Sequence, residues 1–580
     1  MKRTCLKLCG ESGTGLLSMQ DMVSRALKSM GYYVHADREY PSLIKGGASN
    51  SMIQFDDDPV WALSTRVDLM MAMDYPGLVK FWEEAPEGTY VVHAFERHEK
   101  TDLHQRAAEK GVKMVYVPAR KIAYENGGNE LMVNMVMLGF MWGMLGFDLA
   151  PIEEEVRRKF AKKPKLLAID LKCLQAGYDL QQEHEAESFL IEAPREKAPE
   201  DWIMIDGNHA LALGAIQCGV RAYYAYPMSP SSSILTHMAN HAKFSGAVVK
   251  QAEDEITAVQ MAIGSMHMGT RALTATSGGG FDLMTETVSL AGIIETPLVI
   301  VIAQRPGPGT GLPTWTSQGD LNLAMYAGHG EYTRLVLAVS DSSSAYELIQ
   351  HAMNYAEEFQ IPVIVLTEKV IAESKWMVPA FEHGAIPIKR GLVTDEARLK
   401  ELVPEDRYRI TENGISERWI PGAAPAHYYA NSDEHKESGV LTEDGDEAEA
   451  MISKRLRKMD TLLEALPEPR VFGPATGADF SFMGWGSTLN VMKDAMALLE
   501  KEGVTVNYLH FDYLFPLKTE RLLEFVEANE NVCLIEGNAT GQLGELIHQK
   551  TNLELHNRLL KFNGRPFFVE DILTFVRDAR

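Results

Sequence analysis

Short apolar runs alternate with amphipathic stretches along most of this chain. Residues 4–9 read as a short strand, followed by the turn Gly10-Glu11-Ser12-Gly13-Thr14-Gly15. The period then changes. Met22, Val23, Ala26, Leu27 and Met30 share one helical face over residues 17–30, and Gly31 stops the helix. Further strands are predicted at 32–35, 90–93 and 113–117. Strands alternating with helices imply a mainly parallel sheet. Residues 155–201 are dense in charge, with Glu153-Glu154-Glu155 and Glu183-His184-Glu185 nearby or within, and read as a linker. A second α/β unit follows, with strands at 221–226, 247–250, 271–276, 298–303, 334–339 and 362–366. Six such strands predict a doubly wound sheet. Residues from about 380 to 470 read as irregular and polar. A last unit has strands at 479–483, 504–510 and 532–536 and a helix over 491–501. The fold class is therefore α/β and multidomain, with divisions at 1–190, 200–380, 381–470 and 471–580.

One segment interrupts this rhythm. Residues 131–147 are apolar or Gly except for Asn134, and five of them are Met. Seventeen residues lie at the bottom of the spanning range. Adaptable Met and close-packing Gly, with Asp148 immediately after, fit a helix buried in protein better than one crossing a membrane.

Composition narrows the function. The formal net charge of −24 is a poor basis for binding nucleic acid, where clustered positive charge is needed. The 46% hydrophobic and 23% charged residues are those of globular domains. Five cysteines are widely scattered, and the Cys5/Cys9 pair has no second pair to complete a zinc or iron–sulfur site. This predicts a reducing, cytoplasmic setting, no signal peptide and no metal site of this chain's own.

Chemistry is concentrated in loops that follow strands. Gly10–Gly15 lies between a strand and a helix, where backbone N–H groups can hold an anion, although its spacing is neither GxGxxG nor a P-loop. Tyr226-Pro227-Met228-Ser229-Pro230-Ser231-Ser232-Ser233 ends another strand. Serines there are ordinarily helix N-caps, with Pro230 at the first helical position; the functional alternative is a ligand-facing hydroxyl at the carboxyl end of a strand. Glu253-Asp254-Glu255 opens a helix, as the helix dipole favours. Thr276-Ser277-Gly278-Gly279-Gly280-Phe281 and Gln304-Arg305-Pro306-Gly307-Pro308-Gly309-Thr310-Gly311-Leu312-Pro313-Thr314 are two further loops able to hug a ligand.

These loops occur in order with Gly484-Trp485-Gly486-Ser487-Thr488 and Glu536-Gly537-Asn538-Ala539-Thr540-Gly541-Gln542-Leu543. Together they resemble the α subunit of 2-oxoacid:ferredoxin oxidoreductases, closest to the 2-oxoglutarate type with a γ domain fused at its N-terminus. The resemblance implies a γ-type domain, a thiamine diphosphate pyrimidine-binding domain and a transketolase C-terminal-like domain. It also implies oxidative decarboxylation of a 2-oxoacid with CoA, giving acyl-CoA, carbon dioxide and reduced ferredoxin, or the reverse reaction in carbon fixation. Glu255 matches the glutamate that hydrogen-bonds the pyrimidine ring, with Tyr226 and Pro227 beside the cofactor. Ser229 and Arg305 match the residues contacting the substrate's keto and carboxylate oxygens, and Thr310 and Thr314 line its pocket. CoA is expected near Gly10, Ser12, Gly13 and Lys45. Mg²⁺ and a [4Fe-4S] cluster are expected on a β subunit, because this chain lacks the GDG pattern and a cysteine constellation. The assembly is expected to be (αβ)₂, with ferredoxin met through β, and the chain inactive alone.

The sequence departs from the family pattern at three places. Met228-Ser229 stands for Ile-Thr, Gly279 for Pro, and Trp315 for a frequent Arg. Ser229 keeps the hydroxyl, while Trp315 bears on substrate choice. Pyruvate, branched or aryl substrates remain alternatives, as does a non-catalytic assembly subunit. An NAD- or FAD-binding protein fits poorly, because the fingerprint spacing is wrong.

Overall fold

A computed structural model describes residues 3–41, 46–95, 103–183, 189 and 191–580. They form two compact units: Met1–Met204 with Ser374–Ala380 and Phe568–Glu570, and Ile205–Glu373 with Phe381–Phe567 and Asp571–Arg580.

The first unit is built on a sheet with strands in the order Lys113–Tyr116, Tyr90–His93, Leu69–Ala72, Thr4–Glu11, Ala48–Asp56, Tyr33–Glu39, Lys375–Val378. From Lys113–Tyr116 to Thr4–Glu11 the pairing is parallel; from Thr4–Glu11 to Lys375–Val378 it is antiparallel. The expectation of a mainly parallel sheet therefore fails for half of this unit. The strand that turns it, Ala48–Asp56, carries Asn50, Ser51 and Gln54 into the interior. Asn50 donates to Glu39 Oε2 at 2.8 Å and Gln54 Nε2 to the Ser64 carbonyl at 3.1 Å, so these two buried amide groups have acceptors.

The helix Leu16–Ser29 covers the sheet with Met19, Met22, Val23, Ala26 and Leu27, and Gly31 follows at φ +96°. The apolar segment becomes the helix Val133–Met144, with eleven of its twelve residues buried. Twelve residues span about 18 Å, against about 30 Å of hydrocarbon. Among the described residues no helix is long and apolar enough to cross a membrane.

The charged stretch is not a linker. It folds as the end of Ala150–Phe160 and the whole of Pro164–Gln182. Arg157 pairs with Glu153 and Arg158 with Glu155, one helical turn apart, so the charges lie on helix faces. The second of these helices packs on Val133–Met144 at two glycines. A Cβ at Gly139 collides with the Leu174 carbonyl, and one at Gly177 with the Val136 carbonyl. Glu183 ends this run, and His184 and Glu185 lie outside the described residues.

The second unit has two sheets. The larger runs Tyr513–Phe515, Leu335–Ala338, Pro362–Glu368, Leu298–Gln304, Ala272–Thr276, Ala222–Ala225, Val248–Gln251, all parallel except the first pair. The six strands read from the sequence in this region are all present. Leu298–Gln304 is buried along its whole length, and its apolar run from Leu298 to Ala303 is what a strand covered on both faces requires. The smaller sheet runs Arg470–Phe472, Val506–Phe511, Phe480–Trp485, Cys533–Glu536, Asn557–Leu560. Tyr513–Phe515 joins the edge of the larger sheet, so one core runs through both.

The segment read as irregular contains the helix Gly445–Ala465, capped by Asp444. It is anchored by buried ions. Lys454 and Lys458 both pair with Glu295, and none of the three is more than 2% exposed.

Candidate functional site

Parallel strands deliver their following loops to one edge of a sheet. In the second unit, Ala222–Ala225 leads into Tyr226–Pro230, Ala272–Thr276 into the three-glycine turn, and Leu298–Gln304 into Arg305–Thr314. The helix Glu255–His267 follows the neighbouring edge strand. Asp254 caps it, accepting from Thr257 N at 2.7 Å, which fixes Glu255 as its first residue.

Glu255 is 4% exposed, and its Oε1 is buried with no hydrogen-bond partner among the described residues. It lies against Gly280. A Cβ there would collide with Thr276 Oγ1 and come within 2.8 Å of Glu255 Oε1. The glycine turn is thus a cradle that a side chain would fill, with an unspent carboxyl oxygen at its wall. That arrangement fits the aminopyrimidine of thiamine diphosphate, which offers hydrogen-bonding nitrogens on a flat ring.

Arg305 and the Ser229 loop also meet. Arg305 Nη1 donates to the Ser229 carbonyl at 2.9 Å, so the contact uses the serine backbone and not its hydroxyl. The helix beyond this loop begins at Ser232, so Pro230 is not the first helical residue; Ser231 is the cap position, but its Oγ donates back to the Met228 carbonyl at 2.8 Å instead of capping the helix. Met228 ties this loop to the next, its Sδ accepting from Ser277 Oγ at 2.6 Å. Thr314 is buried, whereas Thr310 is exposed at the loop's apex; Tyr226 and Pro227 are exposed as well. Ser229, Glu255, Arg305 and Thr314 are thus delivered by adjacent loops, and Thr310 is not gathered with them.

Sequence reasoning missed two residues. Asp320 lies over Gly278, where a Cβ would come 2.6–2.8 Å from its carboxylate. Its Oδ2 is buried without a partner, and its N–H donates to Gln304 Oε1 at 3.0 Å. Burial, with Asp282 adding and Arg305 opposing, pushes its carboxyl up to about 6. Burial lowers Arg305 from its ordinary value, and Asp320 acts against that.

The other residue is Gln318, 1% exposed. Its Nε2 donates to Glu368 Oε1 at 2.9 Å and to the Trp485 carbonyl at 2.8 Å, and its Oε1 accepts from Gly537 N at 2.6 Å. Asn538 Nδ2 donates to the Gln318 carbonyl, and Gln542 Nε2 to that of Gly319. Glu368 accepts from Ser487 N and Oγ at 2.8 and 2.6 Å. Burial pushes Glu368 up to about 7 against these donors; Glu536, accepting from Trp485 Nε1, is also raised by burial to about 7. The two C-terminal motifs therefore grip the far end of the loop that carries Arg305 and Thr314.

In the first unit, Gly10–Gly15 leads into Leu16–Ser29, whose N-cap Gly15 is left-handed and brings no side-chain cap. Ser12 Oγ reaches the Gly47 carbonyl at 3.4 Å. Asp74 takes the Glu11 N–H at 2.7 Å, so that donor is already spent on a carboxylate. The uncapped start of a fourteen-residue helix can still hold an anion. Lys45 lies outside the described residues.

Comparison with known proteins agrees with this layout. Residues 213–454 match the family model for the thiamine diphosphate-binding domain of pyruvate flavodoxin/ferredoxin oxidoreductase, and residues 5–180 that for pyruvate ferredoxin/flavodoxin oxidoreductase. The α subunit of 2-oxoacid:ferredoxin oxidoreductase from a Sulfolobus species is 30% identical over 615 residues, covering 97% of this chain and 95% of that one. The chain belongs to the α subunits of the 2-oxoacid:ferredoxin oxidoreductases. Within the family it is also similar to the 2-oxoglutarate oxidoreductase subunit KorA of Mycobacterium tuberculosis, 27% identical across all of this chain and 92% of that one. Among solved structures, the 2-oxoglutarate:ferredoxin oxidoreductase of Magnetococcus marinus, with 2-oxoglutarate, coenzyme A and succinyl-CoA bound, superposes with a TM-score of 0.91 at 29% identity. That match covers 100% of this chain and 99% of its counterpart. This α subunit accordingly contains a thiamine diphosphate-binding domain and is part of an oxidoreductase.

Proposed function

We propose that this α subunit, with a β subunit, oxidatively decarboxylates 2-oxoglutarate. 2-Oxoglutarate, CoA and two oxidised ferredoxins give succinyl-CoA, carbon dioxide, two reduced ferredoxins and a proton. The observation that carries the reading is the unspent Glu255 oxygen at the glycine cradle, next to the loops joined by the Arg305–Ser229 bond. Thiamine diphosphate, when bound, supplies the nucleophilic carbon and the electron sink that decarboxylation requires. Glu255 holds the proton shared with the pyrimidine nitrogen, shielded from water by its burial. Arg305 binds the carboxylate next to the keto group through its planar fork, with its position fixed by the Ser229 carbonyl. The hydroxyls of Ser229 and Thr314 orient the keto oxygen.

2-Oxoglutarate has a second carboxylate, which asks for a second cation. Trp315 stands where relatives often have Arg, and the Arg565 guanidinium lies over its ring. The Gly564 carbonyl accepts from Thr316 N at 3.2 Å, so Arg565 is attached to the substrate loop. Arg565 is our candidate for the side-carboxylate partner. CoA is assigned to the first unit, at Gly10, Ser12, Gly13 and the neighbouring loop. Mg²⁺, the [4Fe-4S] cluster and ferredoxin are assigned to the β subunit, and the assembly to (αβ)₂.

The test is anaerobic co-expression with the β subunit, followed by viologen reduction with CoA and a panel of 2-oxoacids. Reduction with 2-oxoglutarate that disappears in Glu255→Gln, together with weaker thiamine diphosphate binding by that variant, is expected. Activity with pyruvate alone overturns the substrate assignment. A complex that retains cofactor and cluster but reduces nothing with any 2-oxoacid overturns the enzymatic reading.

A further inference from the structure

Three metal-ligating side chains converge in the second unit without a part in the chemistry above, and a fourth, His241, packs beside them. Asp206 is the N-cap of the helix Gly207–Gln217, and its Oδ1 accepts the His209 N–H at 2.8 Å. The cap therefore fixes the carboxylate and sets His209 beside it. On the helix Ser232–Ser245, His237 and His241 are one turn apart and share a face. His237 Nε2 is 3.7 Å from Asp206 Oδ1. The His209 ring is 4.1 Å from that of His237 and 5.5 Å from that of His241. Asp206, His209 and His237 each offer a donor atom within 4.8 Å of the others, and all three are half-buried. His241 Nδ1 is bound to the His237 carbonyl at 2.8 Å. In the neutral ring this makes Nδ1 the donor and leaves the lone pair on Nε2.

We infer that Asp206, His209, His237 and His241 bind a divalent transition metal of the zinc class. Imidazole and carboxylate are its usual ligands, and three or four of them suffice. Tetrahedral zinc, with bonds of about 2.0–2.1 Å, holds its ligand atoms about 3.3–3.5 Å apart. The donors therefore close in by about 1 Å. The rings of His209 and His237 lie parallel, at 3°, so their in-plane lone pairs do not yet converge. Binding therefore requires one of the two rings to turn.

The position gives such an ion a consequence. Asn208, next to His209, donates to the Pro230 carbonyl at 2.8 Å and to Ser233 Oγ at 2.7 Å. The residue between cap and ligand thus holds the loop that carries Ser229.

The inference does not rest on the thiamine chemistry and is tested on the whole αβ complex. The complex is stripped with chelator and titrated with Zn²⁺ and Co²⁺ by calorimetry, and metal content is measured after gel filtration. The expected result is one ion per α chain, with affinity at least tenfold weaker in His237→Gln and in His241→Gln, while thiamine diphosphate content is unchanged. Two separate variants keep the test open should one fail to assemble. Absence of a bound equivalent in the unaltered complex overturns the inference, as does binding that neither substitution weakens.

Discussion

Glu368→Gln isolates the electrostatics of the network behind the Arg305–Thr314 loop. In the unfolded chain Glu368 ionises at its ordinary value of 4.5, and in the folded protein burial raises this to about 7. A carboxyl with a raised folded value binds its proton more tightly when folded. Its contribution to stability is therefore fully present below 4.5 and is lost as pH climbs to about 7. At 1.36 kcal/mol per pH unit, that interval amounts to about 3 kcal/mol. Glutamine is neutral at every pH and keeps the geometry. Its Oε1 accepts from Gln318 Nε2 and Ser487 N, and its amide donates to Ser487 Oγ. The thermal midpoints of the two complexes, measured from pH 5 to 8.5, are thus expected to diverge with rising pH, the variant being the more stable at pH 8. Glu536 titrates in the same range in both proteins, so the difference between the curves reports Glu368 alone. Parallel curves would refute the reasoning, because they would mean that Glu368 is already ionised in the folded state.

Gln318→Leu strips partners from Glu368, the Trp485 carbonyl and Gly537 N at once, each loss costing about 1–3 kcal/mol. The loop carrying Arg305 should loosen, with kcat/KM for the 2-oxoacid falling at least tenfold while thiamine diphosphate still binds; steady-state kinetics and cofactor titration decide this. Arg565→Ala should lower kcat/KM for 2-oxoglutarate by about 10- to 100-fold, the worth of a charge-assisted hydrogen bond, and leave pyruvate turnover within a factor of about two. Equal losses on both substrates would remove Arg565 from the specificity argument. Gly139→Ala drives a methyl into the Leu174 carbonyl, where backbone on both sides prevents relief. It should destabilise the first unit by about 3 kcal/mol or more, read as faster amide exchange in Val133–Met144 and Pro164–Gln182.

What the sequence reveals depends on how local its cause is. Leu298–Gln304 is legible because a strand buried on both faces must be apolar throughout, and the glycine loops are legible because close approach excludes side chains. Ala48–Asp56 is not. Its Asn, Ser and Gln read as surface until Glu39, Gln20 and Ser64 supply partners that only the fold brings near. The charged helices after Ala150 mislead for the opposite reason, since exposed ion pairs resemble a solvated linker. The site divides in the same way. Glu255, Arg305 and Ser229 are recognisable because each sits in a motif at a strand or helix end. Asp320 is invisible because nothing in its neighbourhood along the chain marks the burial that shifts it. Gln318 is separated by 167 residues from Trp485 and by 219 from Gly537. The motifs at 484–488 and 536–543 are recognisable as sequence, but what they contact is not. Their backbone groups and buried side chains are the partners of Gln318 and Glu368, so the spacing they keep is the spacing needed to hold the Arg305–Thr314 loop from behind. A loop rich in Gly and Pro cannot hold itself in one conformation by its own contacts. Its precision has to come from the element behind it, and here that element is the C-terminal sheet.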